Sequence, residues 1–260
     1  MSLECRSISY AYNGDQVLHA VSFSVAQGTF CALLGRNGCG KTTLLHCLCG
    51  VLHPQQGDVL VQERPVPLRN KAARAKCMSL VPQEFEQVFP FTVLDMVIMG
   101  RNPYLVGHAL PGPEDEAIAW ESLKRLGAEH LAHRRVNQIS GGERQLATVA
   151  RALAQQAPVM LLDEPSNHLD FHNQYRLLYQ IRHLCRSQGL TVLASMHDPN
   201  SVAASADRVI LMESGRILDQ GTIRDTLTQD QLQRLYGIDV VESQLKGGIK
   251  HFMPRMDTRI

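Results

Sequence analysis

At 260 residues with 44% hydrophobic and 20% charged side chains, the chain can bury a sizeable core, and intrinsic disorder is excluded as the default. Lysine plus arginine number 26 against 25 aspartate plus glutamate, so a net charge of +1 gives no field for gathering nucleic acid or anionic lipid, and any phosphate site must be local. Seven cysteines, with Cys31, Cys39, Cys47 and Cys49 crowded into one short stretch, suit a reducing compartment and not a disulfide framework.

Residues 3–10 and 17–25 alternate apolar and polar side chains on either side of Asn13-Gly14, which predicts an antiparallel hairpin. The short apolar run at 29–34 leads into a glycine-rich loop and a helix over 42–49. Leu44, Leu45 and Leu48 share one face of that helix, and Gly50 caps it. After Phe85 the chain is punctuated by Pro90, Pro103, Pro111 and Pro113, leaving room for one short helix at 93–99. Helical spacing follows over 114–126 and 143–156, while the apolar runs at 159–162 and 191–195 read as buried parallel strands. That order implies an α/β core in one folded unit with lobes. Residues 209–212 and 216–218 flank Ser214-Gly215 and predict a closing hairpin; beyond Gln229 the pattern weakens. The opening MSLECRSISY is not expected to act as a secretory signal, and no apolar run reaches the roughly 18 residues of a membrane span. A membrane role is therefore expected to be exercised through a partner.

The strongest local signal is Gly35-Arg36-Asn37-Gly38-Cys39-Gly40-Lys41-Thr42, which matches G-x-x-x-x-G-K-[ST] between a predicted strand and a predicted helix. Glycines at 35, 38 and 40 let the backbone curl so that several N–H groups converge on phosphate oxygens, and the helix presents its positive end to the same anion. Gly35, Asn37, Gly38, Cys39, Gly40, Lys41, Thr42 and Thr43 are the expected nucleotide contacts. Lys41 is suited to bridging the β- and γ-phosphates and the Thr42 hydroxyl to ligating Mg²⁺.

The run at 159–162 ends in Asp163 and Glu164, and a buried parallel strand delivers its last residues to the carboxyl edge, where ligands bind in such sheets. Asp163 is expected to hold Mg²⁺, directly or through water. Glu164 is expected to polarise an attacking water as general base.

With these two motifs in place, Ser140-Gly141-Gly142-Glu143 resembles the signature of ATP-binding-cassette (ABC) ATPases, and further elements line up from Tyr12 to His197. Tyr12 is similar to the aromatic that stacks on adenine, Gln83 in Val81-Pro82-Gln83 to the Q-loop, the 166–170 segment ending in Asp170 to the D-loop, and His197 to the switch histidine. The resemblance implies an α/β fold: a P-loop NTPase (RecA-like) core with an N-terminal antiparallel β subdomain and an inserted α-helical signature subdomain. It implies a single nucleotide-binding domain over 1–260, with the helical subdomain over about 84–155 and a C-terminal extension over about 229–260. Catalytic roles fall to Lys41, Gln83, Glu164 and His197, metal ligation to Thr42, Gln83 and Asp163, and further ATP contacts to Ser140, Gly141, Gly142 and Asp170. Ile139 stands where the family usually has leucine, and Glu143 where it usually has glutamine.

The signature serine and glycines at a helix start form a second anion-binding end, and Ser140 is also suited to N-capping. In the family the two ends face different nucleotides, so the implied assembly is a head-to-tail homodimer closed by two-fold symmetry. The implied partners are a second copy, two integral-membrane permease subunits and an extracytoplasmic solute-binding protein, with no nucleic acid, at the cytoplasmic face of the plasma membrane. Residues 84–103 are implied to grip a permease helix through Phe85, Val88, Phe89 and Phe91, although the same side chains could pack into the core. Thr92-Val93-Leu94-Asp95, Met99-Gly100-Arg101 and Leu235-Tyr236-Gly237-Ile238 are similar to the importer branch that handles siderophores, haem, cobalamin and molybdate or tungstate. An ABC exporter ATPase and a soluble ABC ATPase acting on DNA or ribosomes stand as alternatives. The latter would be marked by long coiled-coil insertions or tandem cassettes, and neither occurs. Intact Lys41, Asp163, Glu164 and His197 argue against a module that binds ATP without turning it over.

Overall fold

The N-terminal hairpin forms as its turn residues require. In the computed structural model, which describes residues 1–83, 91–107, 109–167, 169–245 and 247–255, β1 (Leu3–Tyr12) and β2 (Asp15–Val25) join through Asn13 and Gly14. Both have positive φ, 48° and 98°, as a two-residue type I′ turn demands. β3 (Phe30–Leu34) is buried throughout and feeds the loop ahead of α1 (Lys41–Leu48). β4 (Gln56–Val61) and β5 (Arg64–Pro65) extend the hairpin into an antiparallel sheet of order β2-β1-β4-β5. Then come α2 (Lys71–Cys77), β6 (Met78–Val81), α3 (Val93–Ile98), α4 (Pro113–Arg125) and α5 (Gly141–Ala154), the last three packed on one another.

β7 (Val159–Asp163), α6 (Phe171–Gln188), β8 (Thr191–Met196), α7 (Pro199–Ser205), β9 (Arg208–Glu213) and β10 (Arg216–Thr222) complete a six-stranded sheet of order β10-β9-β3-β8-β7-β6. Every pairing in it is parallel except β9 with β10, which turn through Ser214 and Gly215 at positive φ. The chain ends with α8 (Ile223–Thr226), α9 (Gln229–Tyr236), and a separate hairpin of β11 (Val240–Gln244) and β12 (Lys250–Pro254).

A strand buried on both faces hides its alternation inside an apolar run. In β3, Phe30, Ala32 and Leu34 face a core shared with the helices, while Cys31 and Leu33 face a second core shared with α1 and the antiparallel sheet. Each fully buried side chain of this size contributes roughly 1.5–3 kcal/mol, so the central strands are the rigid frame that carries the loops at their carboxyl ends.

The predicted hairpins, central strands and helices over 42–49, 93–99, 114–126 and 143–156 all form, within a few residues at each end. The C-terminal region is more ordered than its weak periodicity suggests, because Leu232 and Leu235 of α9, with Val240 and Phe252 of the hairpin, join the main core. The importer-like segments have structural duties. Thr92 and Asp95 form the capping box that starts α3. At Gly100 a Cβ would lie 2.2 Å from the Arg151 carbonyl, so glycine lets the backbones touch. Arg101, 6% exposed, pairs with Asp115 at 3.0 Å, donates to the Ala154 carbonyl at 2.8 Å and lies over the Tyr104 ring. Phe91 is exposed, whereas Phe85, Val88 and Phe89 lie outside the described residues. Among the described residues no helix is long and apolar enough to cross a membrane.

Candidate active site

At Gly35 a Cβ would sit 2.4 Å from the Met212 carbonyl oxygen and 2.6 Å from Cys39 Sγ, so only glycine lets the loop pass this close to β9. Gly38 and Gly40 have φ of 78° and 104°, and Gly40 is the N-cap of α1. The loop curls around Lys41, a residue 5% exposed, whose ammonium donates to the carbonyls of Gly35 at 2.8 Å and Arg36 at 3.1 Å.

Asp163 closes β7 with 1% exposure, and its Oδ1 accepts from two hydroxyls: Thr42 Oγ1 at 3.2 Å and Ser195 Oγ at 2.6 Å. Ser195 lies opposite Asp163 in the β7–β8 register. Its oxygen also accepts from the Glu164 backbone N–H at 2.8 Å, which directs the hydroxyl proton to the aspartate. Glu164 itself adopts φ 47°, a conformation uncommon for a non-glycine residue. Its Oε2 accepts from Asn167 Nδ2 and lies 3.5 Å from His197 Nδ1.

One cavity of about 530 Å³ brings together Asn37, Gly38, Gly40, Lys41, Thr42, Thr43, Gln83, Glu164 and His197, with Asn167 and Val17 completing its wall. Gly35 and Asp163 stand behind this lining and shape it. Cys39 faces a neighbouring cavity with Arg36 and Met212, and burial pushes its thiol pKa up. Tyr12 stays outside, exposed at the tip of β1 and edge-on to Tyr10 at 4.9 Å between ring centres. Asp170 caps α6, accepting from the Asn173 N–H at 2.8 Å.

The signature residues are also outside the cavity. Ser140 and Gly141 are exposed at the start of α5, and Gly142 lies beside Leu169. Ser140 and Glu143 form a reciprocal capping box: the Glu143 N–H donates to Ser140 Oγ at 3.3 Å, and the Ser140 N–H donates to Glu143 Oε2 at 2.8 Å. The backbone hydrogen bond from Ser140 is foremost in holding the Glu143 carboxyl below its ordinary pKa.

Sequence reasoning missed the roles of Ser195 and Asn167. The signal for Ser195 was present as the lone serine in the wholly buried strand TVLASM, where an unpaired hydroxyl would be costly. The donor set suits Mg²⁺. Thr42 and Asp163 offer hard oxygens 3.2 Å apart, and among the described residues no cluster of three or more His, Cys, Asp or Glu forms a protein-only cage. Magnesium characteristically takes one or two carboxylates and completes its shell with water and phosphate oxygens. A curled amide loop, a buried lysine and an adjacent carboxylate pair can position a polyphosphate and activate water against it.

The family model described as ABC transporter matches residues 18–167, more than half of the chain. This chain belongs to the ABC transporter family. The ABC chain is 34% identical to the molybdate import ATP-binding protein MolC of Haemophilus influenzae, the match covering 99% of this chain and 98% of that protein. It is 36% identical to the hemin import ATP-binding protein HmuV of Bordetella bronchiseptica, covering 92% and 93%. Among solved structures it matches a chain of a transporter described as of metal-chelate ABC type in an inward-facing conformation, with a TM-score of 0.87 at 34% identity over 100% and 99% of the two chains. A dimeric ATP-binding cassette bound to ADP and phosphate matches with a TM-score of 0.73 at 26% identity over 85% and 99%. The fold is that of a P-loop NTPase, and this ABC subunit is an ATPase.

Proposed function

We propose that two copies of this ABC ATPase sandwich two Mg·ATP molecules, each between the phosphate loop of one copy and Ser140, Gly141 and Gly142 of the other. In this reading, hydrolysis energises import of a metal chelate or metal oxyanion through separate membrane subunits. The observation that carries the reading is the convergence of Lys41, Thr42, Gln83, Glu164 and His197 on one cavity, while Ser140 and Gly141 lie exposed outside it. One copy thus offers a phosphate cradle and, elsewhere, a helix start with free access, which is half of each of two sites.

Within the site Lys41 leaves the Gly35 and Arg36 carbonyls to engage the β- and γ-phosphates, and the loop amides bind the remaining oxygens. Tyr12 stacks on adenine. Thr42, Gln83 and Asp163 would hold Mg²⁺, which would neutralise phosphate charge. Glu164 takes the proton of the attacking water, and His197 with the other copy's signature donors stabilises charge on the γ-phosphate. Asp170 stands at the junction between copies. The chain acts as a single nucleotide-binding domain, with residues of about 84–155 as its helical part and residues of about 229–260 as its C-terminal extension.

The relatives named for molybdate and hemin import, with the metal-chelate transporter, support a cargo drawn from siderophores, haem, cobalamin and molybdate or tungstate. The partners are then two permease subunits and an extracytoplasmic solute-binding protein, with this chain on the cytoplasmic side. The decisive experiment is Glu164→Gln. ATP should drive its dimerisation in size-exclusion chromatography while turnover falls by about 100-fold or more; wild-type turnover would refute the assignment. Uptake of labelled ferric siderophore, haem, cobalamin and molybdate, compared in cells with and without the chain, tests the cargo class.

A further inference from the structure

We infer that Tyr236 is a positioning residue for His197, and that the C-terminal unit from α9 to β12 sets the place of the histidine at the cavity. The inference rests on the reading of His197 given above. The His197 side chain is 51% exposed, so packing does not fix its ring and its position follows from its backbone. Upstream, Met196 is held in register with Leu34 of β3. Downstream, Asp198 caps α7, accepting from the N–H groups of Asn200 at 3.1 Å and Ser201 at 2.9 Å. At His197 itself, the carbonyl accepts from the Tyr236 hydroxyl at 2.8 Å, a contact from the last residue of α9, 39 positions along the chain.

A second tie lies three residues on. Asn200 Nδ2 donates to the Phe252 carbonyl at 3.0 Å, and the Phe252 N–H donates to Asn200 Oδ1 at 2.8 Å, clasping α7 to β12. Between the ties the surfaces do not close. A cavity of about 310 Å³ remains, walled by Pro199, Leu232, Ile238 and Val240. The C-terminal unit therefore bears on the 197–200 segment through directed hydrogen bonds, alongside the packing of Val240 and Phe252 into the main core. Burial pushes the Tyr236 phenol pKa up, so the hydroxyl stays a donor. His197 Nδ1 stands 3.5 Å from Glu164 Oε2, a separation that a small rotation of the 197–198 peptide would open or close. Misplacement by roughly 1 Å at a reacting centre costs on the order of 100-fold in rate, which bounds the effect.

Tyr236→Phe removes the hydroxyl and keeps the ring. Its kcat for ATP should fall by about 3- to 30-fold, within that bound, while KM for ATP stays within about twofold because the phosphate loop is untouched. In the His197→Ala background the same substitution should change nothing further. Asn200→Ala, which opens the second tie, should lower kcat in the same way; unchanged turnover there overturns the part assigned to β12. Unchanged kcat in Tyr236→Phe, or an equal loss with and without His197, overturns the role of Tyr236 and leaves the reading of the cavity standing. If His197→Ala alone keeps wild-type turnover, the reading of the histidine fails and this inference fails with it.

Discussion

Ser195→Ala removes the atom that joins the two acidic residues of the site. The Ser195 side chain is fully buried, donating to Asp163 Oδ1 at 2.6 Å and accepting from the Glu164 N–H at 2.8 Å. Alanine strips one donor from a carboxylate that is 1% exposed and leaves an amide without its acceptor. A buried group left unpaired costs about 1–3 kcal/mol. Asp163 keeps the Thr42 hydroxyl, so the total belongs near the low end of the sum for two groups, about 2 kcal/mol. In a chain of this size that lowers Tm by about 4–8 °C. The same change frees Glu164 from the anchor of its left-handed backbone, so kcat for ATP should fall by about tenfold or more. The control is Thr191→Val in the same strand, where a buried hydroxyl donates to Ser2 Oγ at 2.8 Å at the opposite end of β8. It should lower Tm in differential scanning calorimetry and leave kcat unchanged. If Ser195→Ala keeps both Tm and kcat, or if Thr191→Val loses as much turnover, the bridging role is refuted.

The Glu143 carboxyl is held below its ordinary value of 4.5, so its contribution to stability is present above that value and is lost as pH falls through the lower folded value. The Tm gap between wild type and Glu143→Gln should therefore be widest near neutrality and shrink below pH 4.5; a constant gap would show that the capping charge is not responsible. Gly40→Ala forces a side chain onto φ 104° with Met212, Leu18 and Val17 atoms at 3.1, 3.2 and 3.4 Å, and should weaken ADP binding in calorimetric titration by about tenfold or more. Unaltered affinity would mean that the cradle does not depend on that turn. Arg101→Met leaves Asp115 with only the Gly112 N–H and the Ala154 carbonyl without a donor, and should cost about 2–3 kcal/mol in urea unfolding. A loss under about 1 kcal/mol would show a surface-like ion pair.

Local chemistry determined how much of this was legible in the sequence. Asn13-Gly14 and Ser214-Gly215 announce their hairpins because those residues tolerate the positive φ that such turns require, and the structure uses both. The phosphate loop reads directly, since glycine spacing and context follow from backbone sterics within a few residues. Ser195 did not read as functional, because its meaning comes from the β7–β8 register, which sets a strand at 159–163 beside another at 191–196. Tyr236 likewise looked like part of a branch-specific segment, and only the docking of α9 against β9 reveals a hydroxyl on the His197 carbonyl. Helix α6 went unread although Leu177, Leu178, Ile181, Leu184 and Cys185 form an apolar stripe, because its polar face dominates the composition. Side chains whose role depends on a neighbour distant in sequence need the topology first.

The treatment of the two buried charges at the loop shows what the fold reserves for a ligand. Lys41 and Asp163 are 5% and 1% exposed, and removing such ions from water costs several kcal/mol each. Pairing them with one another would recover much of that cost, yet no ion pair joins them among the described residues. Lys41 is met instead by two backbone carbonyls and Asp163 by two hydroxyls, neutral partners that solvate each charge without cancelling it. A neutralised pair would offer little to a phosphate or a cation. Two charges kept apart present a donor and an acceptor of opposite sign to one cavity edge, the polarity that a phosphate with its counter-cation requires. Exchanging both for apolar residues, Lys41→Met with Asp163→Leu, should therefore abolish nucleotide binding, while the desolvation it relieves is offset by about 1–3 kcal/mol for the stranded Ser195 hydroxyl. A double variant that still binds ADP in calorimetric titration with wild-type affinity would refute the role given to the two charges.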